Sequence, residues 1–150
     1  MFTPRTLNRF LMTRIPLAWI AGLRVSELSN ERCELRLRHR WINQNPFGSV
    51  YFAVLAAGGE LATGIPLFRE VQAAGRPVSM LVVEQQARFL KKARGRIRFV
   101  FNDMELIRQQ VARALNTGQA QVFVLTSRAI DEQGQTLAEF RFHWSVKPKG

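Results

Sequence analysis

The chain has 150 residues, 47% of them hydrophobic, with twenty-two Lys and Arg against eleven Asp and Glu, a net charge of +11. That length suits one domain burying roughly 70% of its unfolded surface, and only the basic tail Lys147–Gly150 reads as low in complexity. The charge favours polyanionic partners without choosing among nucleic acid, acidic lipid and a phosphorylated cofactor; the single Cys33 excludes an internal disulfide and a cysteine zinc cage.

Leu7, Phe10, Leu11, Ile15, Ala18 and Trp19 recur at helical spacing. This predicts one amphipathic helix over 1–21, laid on the domain. Arg5, Arg9 and Arg14 are spread through it and Pro16 interrupts its apolar stretch, so it is not a signal peptide. Residues 22–28 form a weakly patterned strand. After the turn Ser29-Asn30-Glu31 comes a clear one, with Cys33, Leu35, Leu37, His39 and Trp41 on one face and Glu34, Arg36, Arg38 and Arg40 on the other. Cys33 and His39 are then expected as core residues, the imidazole hydrogen-bonded.

Between Phe47 and Phe68 the only charged side chain is Glu60. A stretch apolar on every side predicts a buried helix, from about Gly48 to Thr63, ended by Gly64-Ile65-Pro66. A short helix over 67–74 follows, then a strand over 77–90 whose start is apolar on both faces, as for a strand covered on both sides. The basic turn Lys91-Lys92-Ala93-Arg94-Gly95 leads to a strand with Ile97, Phe99 and Phe101 inward. Asn102 and Glu105 predict a capping box for a helix carrying Met104, Ile107, Val111, Ala114 and Leu115 on one face, with Gly118 terminating it. Residues 121–130 and 136–146 read as a hairpin across Asp131–Gly134. On its second strand Ala138, Phe140, Phe142, Trp144 and Val146 share a face, and His143 lies on the polar one. No segment is a membrane span, and the protein is expected to be soluble and cytoplasmic.

Glu60 carries the chemistry. A carboxylate inside an apolar helix is costly unless it is used, and burial raises its pKa toward the range of a general base. The punctuation Asn45-Pro46-Phe47-Gly48 precedes the helix, whose first amides lack intrahelical partners and can hold an oxyanion. Such amides are worth about 3–4 kcal/mol each where water is excluded. The plainer alternatives are an ion pair for Glu60, capping for Asn45 and packing for Tyr51. His39 and His143 lie far apart, with no serine elbow, so neither a hydrolase triad nor a metal site is supported.

The order of two strands, one buried helix and a run of antiparallel strands gives an α+β class. It resembles the hotdog fold, a curved antiparallel sheet wrapped around a central apolar helix, here with an added N-terminal helix. The chain is similar to PaaI-like acyl-CoA thioesterases, in their YiiD-like, DUF4442-type branch. Those enzymes carry an Asn, a Gly, a His-Gly-Gly and an acid nine residues after the His; Asn45, Gly48, Tyr51-Phe52-Ala53 and Glu60 stand at those spacings. Tyr51-Phe52-Ala53 replaces His-Gly-Gly, which keeps the backbone amides and removes the imidazole.

The resemblance implies hydrolysis of an acyl-CoA thioester by a homodimer or dimer of dimers, with no cofactor beyond the coenzyme A of the substrate. It makes Glu60 the base or nucleophile, the Phe52 amide the main oxyanion donor with Ala53 as a second, and Asn45 the group that orients water or binds the carbonyl. Ser79 falls across the dimer or groove near the leaving group, Gly48, Tyr51 and Ala53 belong to the substrate-binding set, and Lys91, Lys92 and Arg94 meet the phosphates. A charged, solvated strand edge is the bland reading of that basic turn. Two rivals stand beside the thioesterase: a non-catalytic acyl-CoA or acyl-lipid binding protein, and a nucleic-acid-binding protein. The latter is disfavoured because Phe89, Phe99 and Phe101 are expected to face the core.

Overall fold

The computed structural model describes residues 1–150. Six strands form one antiparallel sheet: β1 (Arg24–Leu28), β2 (Cys33–Arg38), β3 (Val78–Phe89), β4 (Arg96–Phe101), β5 (Gln121–Ile130) and β6 (Thr136–Pro148). Their order is β1-β2-β4-β5-β6-β3. The central helix, α3 (Phe52–Ala73), packs on one face, and thirty-two buried residues form one contiguous core. This is the hotdog arrangement, in the α+β class.

The helix reaches the sheet because of two glycines. A Cβ on Gly58 would lie 2.5 Å from the Phe99 ring, and one on Gly59 would lie 2.5 Å from the Phe140 ring. Both rings are fully buried. Leu61 to Leu67 are buried without interruption, so α3 is apolar all round, as its sequence requires.

Several expectations are corrected. The helix begins at Phe52 rather than Gly48, because residues 45–49 close a loop of their own: the Asn45 N–H donates to the Ser49 carbonyl at 2.8 Å. It also runs through Pro66, making one helix where two were expected, since burial on all sides outweighs the roughly 3 kcal/mol that an interior proline costs. In contrast, the single N-terminal helix breaks at Ile15 into α1 (Pro4–Arg14) and α2 (Pro16–Ala21), with Pro16 at the first position of the second. The second amphipathic helix, α4 (Met104–Thr117), is capped by Asp103 and not by Asn102; Gly118 ends it at φ +69°. The tail is ordered too, since β6 continues to Pro148, opposite Val78.

Strand β2 stops before His39. His39 is half-buried with its Nε2 unpartnered, and Trp41 sits exposed on a 3₁₀ turn (Trp41–Asn43) instead of in the core. Cys33 is buried as expected, and burial pushes its thiol up to about 12, so it is inert. Glu34, read as a polar-face residue, is 2% exposed. Burial opposes its ionisation, yet bonds from Ser26 (3.0 Å), Arg36 (3.3 Å) and Arg98 (3.2 Å) overcome that and hold its carboxyl below the usual range. What covers it is arginine, not core.

The two sheet edges are treated differently. At the β1 edge the Asn8 side chain of α1 donates to the Val25 carbonyl (2.9 Å) and accepts from the Val25 N–H (2.8 Å), supplying what a further strand would. The twelve-residue β3 lies at the opposite edge and pairs only with β6. It was expected to be covered on both sides; instead Leu81 is 63% exposed, and Val83, Phe89 and Leu90 are about half exposed. Phe89 is thus not a core residue. A long apolar edge left bare is a template for pairing.

Candidate active site

Glu60 sits in the third turn of α3, beneath the bare-edge side of the sheet. A Cβ on Gly64 would lie 3.0 Å from its Oε1 and 3.1 Å from the Trp144 ring, which places carboxylate and indole side by side. Trp144 on β6 faces Val82 of the edge strand. The carboxylate is half-buried and makes no hydrogen bond or ion pair in the chain, so the ion-pair alternative fails. Burial alone pushes its pKa up from 4.5 to about 7.

Two polar braces hold this turn. The Trp144 indole N–H donates to Thr63 Oγ1 at 3.0 Å, and that hydroxyl donates to the Glu60 carbonyl at 2.8 Å. On the preceding residue, Ser127 Oγ donates to the Gly59 carbonyl at 2.8 Å. None of Thr63, Ser127 and Trp144 was singled out from the sequence. The available signal was a threonine inside an otherwise apolar helix and an indole that needs an acceptor when buried. Thr63→Val should strand the indole donor and cost about 1–3 kcal/mol, read as a lowered urea midpoint at unchanged m-value.

The helix start is built by its loops. The Tyr51 N–H donates to the Asn43 carbonyl (2.8 Å) and the Val50 N–H to the Ala93 carbonyl (2.9 Å), while Val54 and Leu55 donate to the Tyr51 carbonyl. That leaves the amides of Phe52 and Ala53 without a partner, and no side chain caps them. The expected oxyanion donors are therefore unoccupied by the chain itself. Asn43, buried and unremarked in the sequence, organises the approach: its amide group donates to the carbonyls of Ala21 and Arg38 and its Oδ1 accepts from the Arg40 N–H.

Asn45 does not cap α3. Its Oδ1 accepts from the Phe47 N–H (2.9 Å) and its Nδ2 donates to Ser49 Oγ (3.0 Å), so the side chain stiffens the loop that ends at the free amides. Gly48 takes φ +71°, and its carbonyl accepts from Arg94 Nε at 3.0 Å, tying the basic turn to the same loop. Tyr51 packs edge-on against Phe52, and Phe52 against Phe89, which meets Phe140. A groove of about 300 Å³ opens here, walled by Asn45, Val50, Phe52, Leu55 and Phe89, with Lys91 and Lys92 at its rim. Lys91 also donates to Gln135 Oε1 at 2.6 Å. Ser79 stands apart. It alternates with Val78 and Met80, which pack on the core, so it lies on the far face of β3, donating to the Lys147 carbonyl at 3.3 Å.

A half-buried acid inside the central helix, and free amides opening an apolar groove with basic residues at its rim, define a thioesterase-like hotdog protein. The chain belongs to the family described as Domain of unknown function (DUF4442), which it matches over residues 3–146. Among solved structures it is similar to PA5026 from Pseudomonas aeruginosa, a protein of unknown function described as a probable thioesterase. Identity is 28%, 99% of each chain is covered and the TM-score is 0.80. Thioesterase HI1161 from Haemophilus influenzae shares the fold at 15% identity, over 99% of this chain and 92% of that one, with a TM-score of 0.70. Thioesterase SAV0944 from Staphylococcus aureus does so at 14% identity, over 89% and 99%, with a TM-score of 0.66. No curated protein matches the chain. No helix is long and apolar enough to cross a membrane.

Proposed function

We propose that the protein hydrolyses acyl-CoA thioesters as a homodimer, in a site shared between two copies. The observation that carries this reading is the unpaired Glu60 carboxyl, raised to about 7 in an apolar setting. Along α3, Glu60 stands eight residues from Phe52, about 12 Å. One thioester carbonyl cannot touch both within a chain. Pairing through the bare β3 edge brings a second helix to the first, so that the acid of one copy meets the free amides of the other.

In that arrangement the Glu60 carboxylate takes a proton from water as the oxygen attacks the carbonyl carbon. The Phe52 amide, joined by Ala53, holds the oxyanion. Collapse breaks the carbon–sulfur bond and the protonated acid returns its proton to the thiolate, releasing a carboxylic acid and free coenzyme A. Asn45 and Gly48 set the loop, Tyr51 and Phe89 border the acyl group, and Lys91, Lys92 and Arg94 face the phosphates. Further support comes from SAV0944, whose solved variants replace a glutamine and a glutamate fifteen residues apart, the separation of Asn45 and Glu60.

Phe52→Pro tests the oxyanion donor, with Phe52→Ala, which keeps the N–H, as the control for loss of the ring from the groove wall. Proline suits the first helical position, Tyr51 before it is already extended, and the lost N–H had no partner. The variant should keep its fold and lose about 10²–10³-fold in turnover on a panel of acyl-CoA thioesters. A wild-type protein that binds acyl-CoA without turning it over would instead be the non-catalytic binding protein.

A further inference from the structure

The outer face of the β1-β2-β4 part of the sheet is an arginine surface. Arg36 stands directly opposite Arg98 and Arg38 directly opposite Arg96, while Arg24 of β1 is opposite Arg36. Like charges facing each other across strands are destabilising. Glu34 is shared among Arg32, Arg36 and Arg98, while Arg38, Arg40 and Arg96 have no acidic side chain within salt-bridge distance. Together with Arg24 and Arg40 these side chains wall a hollow of about 510 Å³, with Asp131 and Glu132 at one rim. Arg24 is fixed in place, stacked 3.3 Å from the Trp19 ring and donating to the Trp19 carbonyl at 2.8 Å. Burial first, and Arg40 next, push its pKa below the usual arginine value. Six arginines thus face three carboxylates, Glu34, Asp131 and Glu132, which leaves the cluster in cationic excess.

The chain runs straight from this hollow into exposed hydrocarbon. Helix α2 ends just before Gly22 and Arg24, and the Trp41 turn follows Arg40; Asn43 ties the two segments together through the Ala21 carbonyl. Leu17 and Ile20 on α2, and Trp41 and Ile42 on the turn, are each more than half exposed. Three of these four are aliphatic. Base stacking would call for aromatic faces, whereas aliphatic side chains with one tryptophan beside basic residues suit the boundary between headgroups and acyl chains.

We propose that the arginine hollow and the Leu17–Ile20–Trp41–Ile42 patch form one surface that docks on an anionic lipid bilayer. The guanidinium groups take lipid phosphates, forked donors matching their oxygens, while the four apolar side chains enter the interface. This surface lies apart from Glu60, so it stands or falls independently of the thioester chemistry.

Flotation with vesicles of phosphatidylcholine alone, and of phosphatidylcholine mixed with phosphatidylglycerol, tests it. The full chain should float with the mixed vesicles only, and added salt should weaken the binding. Arg38→Ser with Arg96→Ser should weaken it roughly thirtyfold. Leu17→Ser with Trp41→Ser should also weaken it, with both double variants keeping wild-type circular dichroism. Absence of flotation with mixed vesicles overturns the proposal. So does loss of binding in the arginine variant alone together with pyrophosphate binding in the wild type, which would make the hollow a site for soluble phosphates. Tight binding of single-stranded RNA that is indifferent to the Leu17 and Trp41 changes would assign the surface to nucleic acid instead.

Discussion

Glu60→Gln should lower kcat/KM for an acyl-CoA thioester by about 10²–10⁴-fold and, above neutral pH, make the protein more stable than wild type. Both effects come from one carboxyl group whose pKa burial raises from 4.5 to about 7. Below pH 4.5 the acid is protonated in the folded and unfolded chain alike, and burial costs little. Between 4.5 and about 7 unfolding releases a proton, so stability falls as the pH rises. Above about 7 the folded chain carries a poorly solvated carboxylate, a cost of about 3 kcal/mol that glutamine never incurs. Thermal unfolding of the two proteins should coincide in acid and diverge through neutrality, glutamine higher. The wild-type pH–rate profile should rise across the same interval, because the ionised form is the base. Equal melting temperatures at pH 8 would mean that the acid is better solvated than its surroundings imply.

The second large effect lies at the glycine pair. Alanine at Gly58 or Gly59 gains up to about 1 kcal/mol of helix propensity, yet its methyl would meet the Phe99 or Phe140 ring 2.5 Å away. Overpacking of that kind costs about 1–3 kcal/mol, and both changes together should bring the domain close to unfolding. The fault can be repaired from the other side: Phe99→Leu costs stability on its own but should recover part of the loss when combined with Gly58→Ala. A double-mutant cycle in urea reads that coupling directly. Additive costs would show that helix and sheet separate easily, contrary to the close approach described here.

Where periodicity was strong, the chain was readable. Strands β2 and β6 alternate cleanly in sequence because only one face of each meets α3. The helix announced itself by lacking charge. The position of β3 was hidden, since a run apolar on both faces looks the same whether helices or a second subunit will cover it. The break at Ile15 and the passage through Pro66 were also hidden: proline stops a solvated helix but not one clamped on all sides. Glu34 misled for a different reason: Arg98 of the neighbouring strand β4 joins Arg36 and Arg32 in shielding it, and the pattern of β2 alone does not contain that contact.

At the site, Glu60 and the amides of Phe52 and Ala53 were legible as residue types at fixed spacing. The role of Asn45 was not, because its side chain is used within a five-residue loop whose geometry no spacing reveals. Ser79 was placed by family spacing alone, and its strand turns it away from α3. The braces at Thr63, Ser127 and Trp144 depend on strand-to-helix contacts far apart in sequence.

Mixing Glu60→Gln chains with Phe52→Pro chains tests the shared site most directly. Each variant alone should be nearly inactive, while a mixed dimer joins the intact acid of one chain to the intact amide of the other. After unfolding and refolding the two in equal amounts, turnover should return to about a quarter of wild type, as expected for random pairing. A mixture no more active than its components would place acid and amide in separate functions and contradict the account.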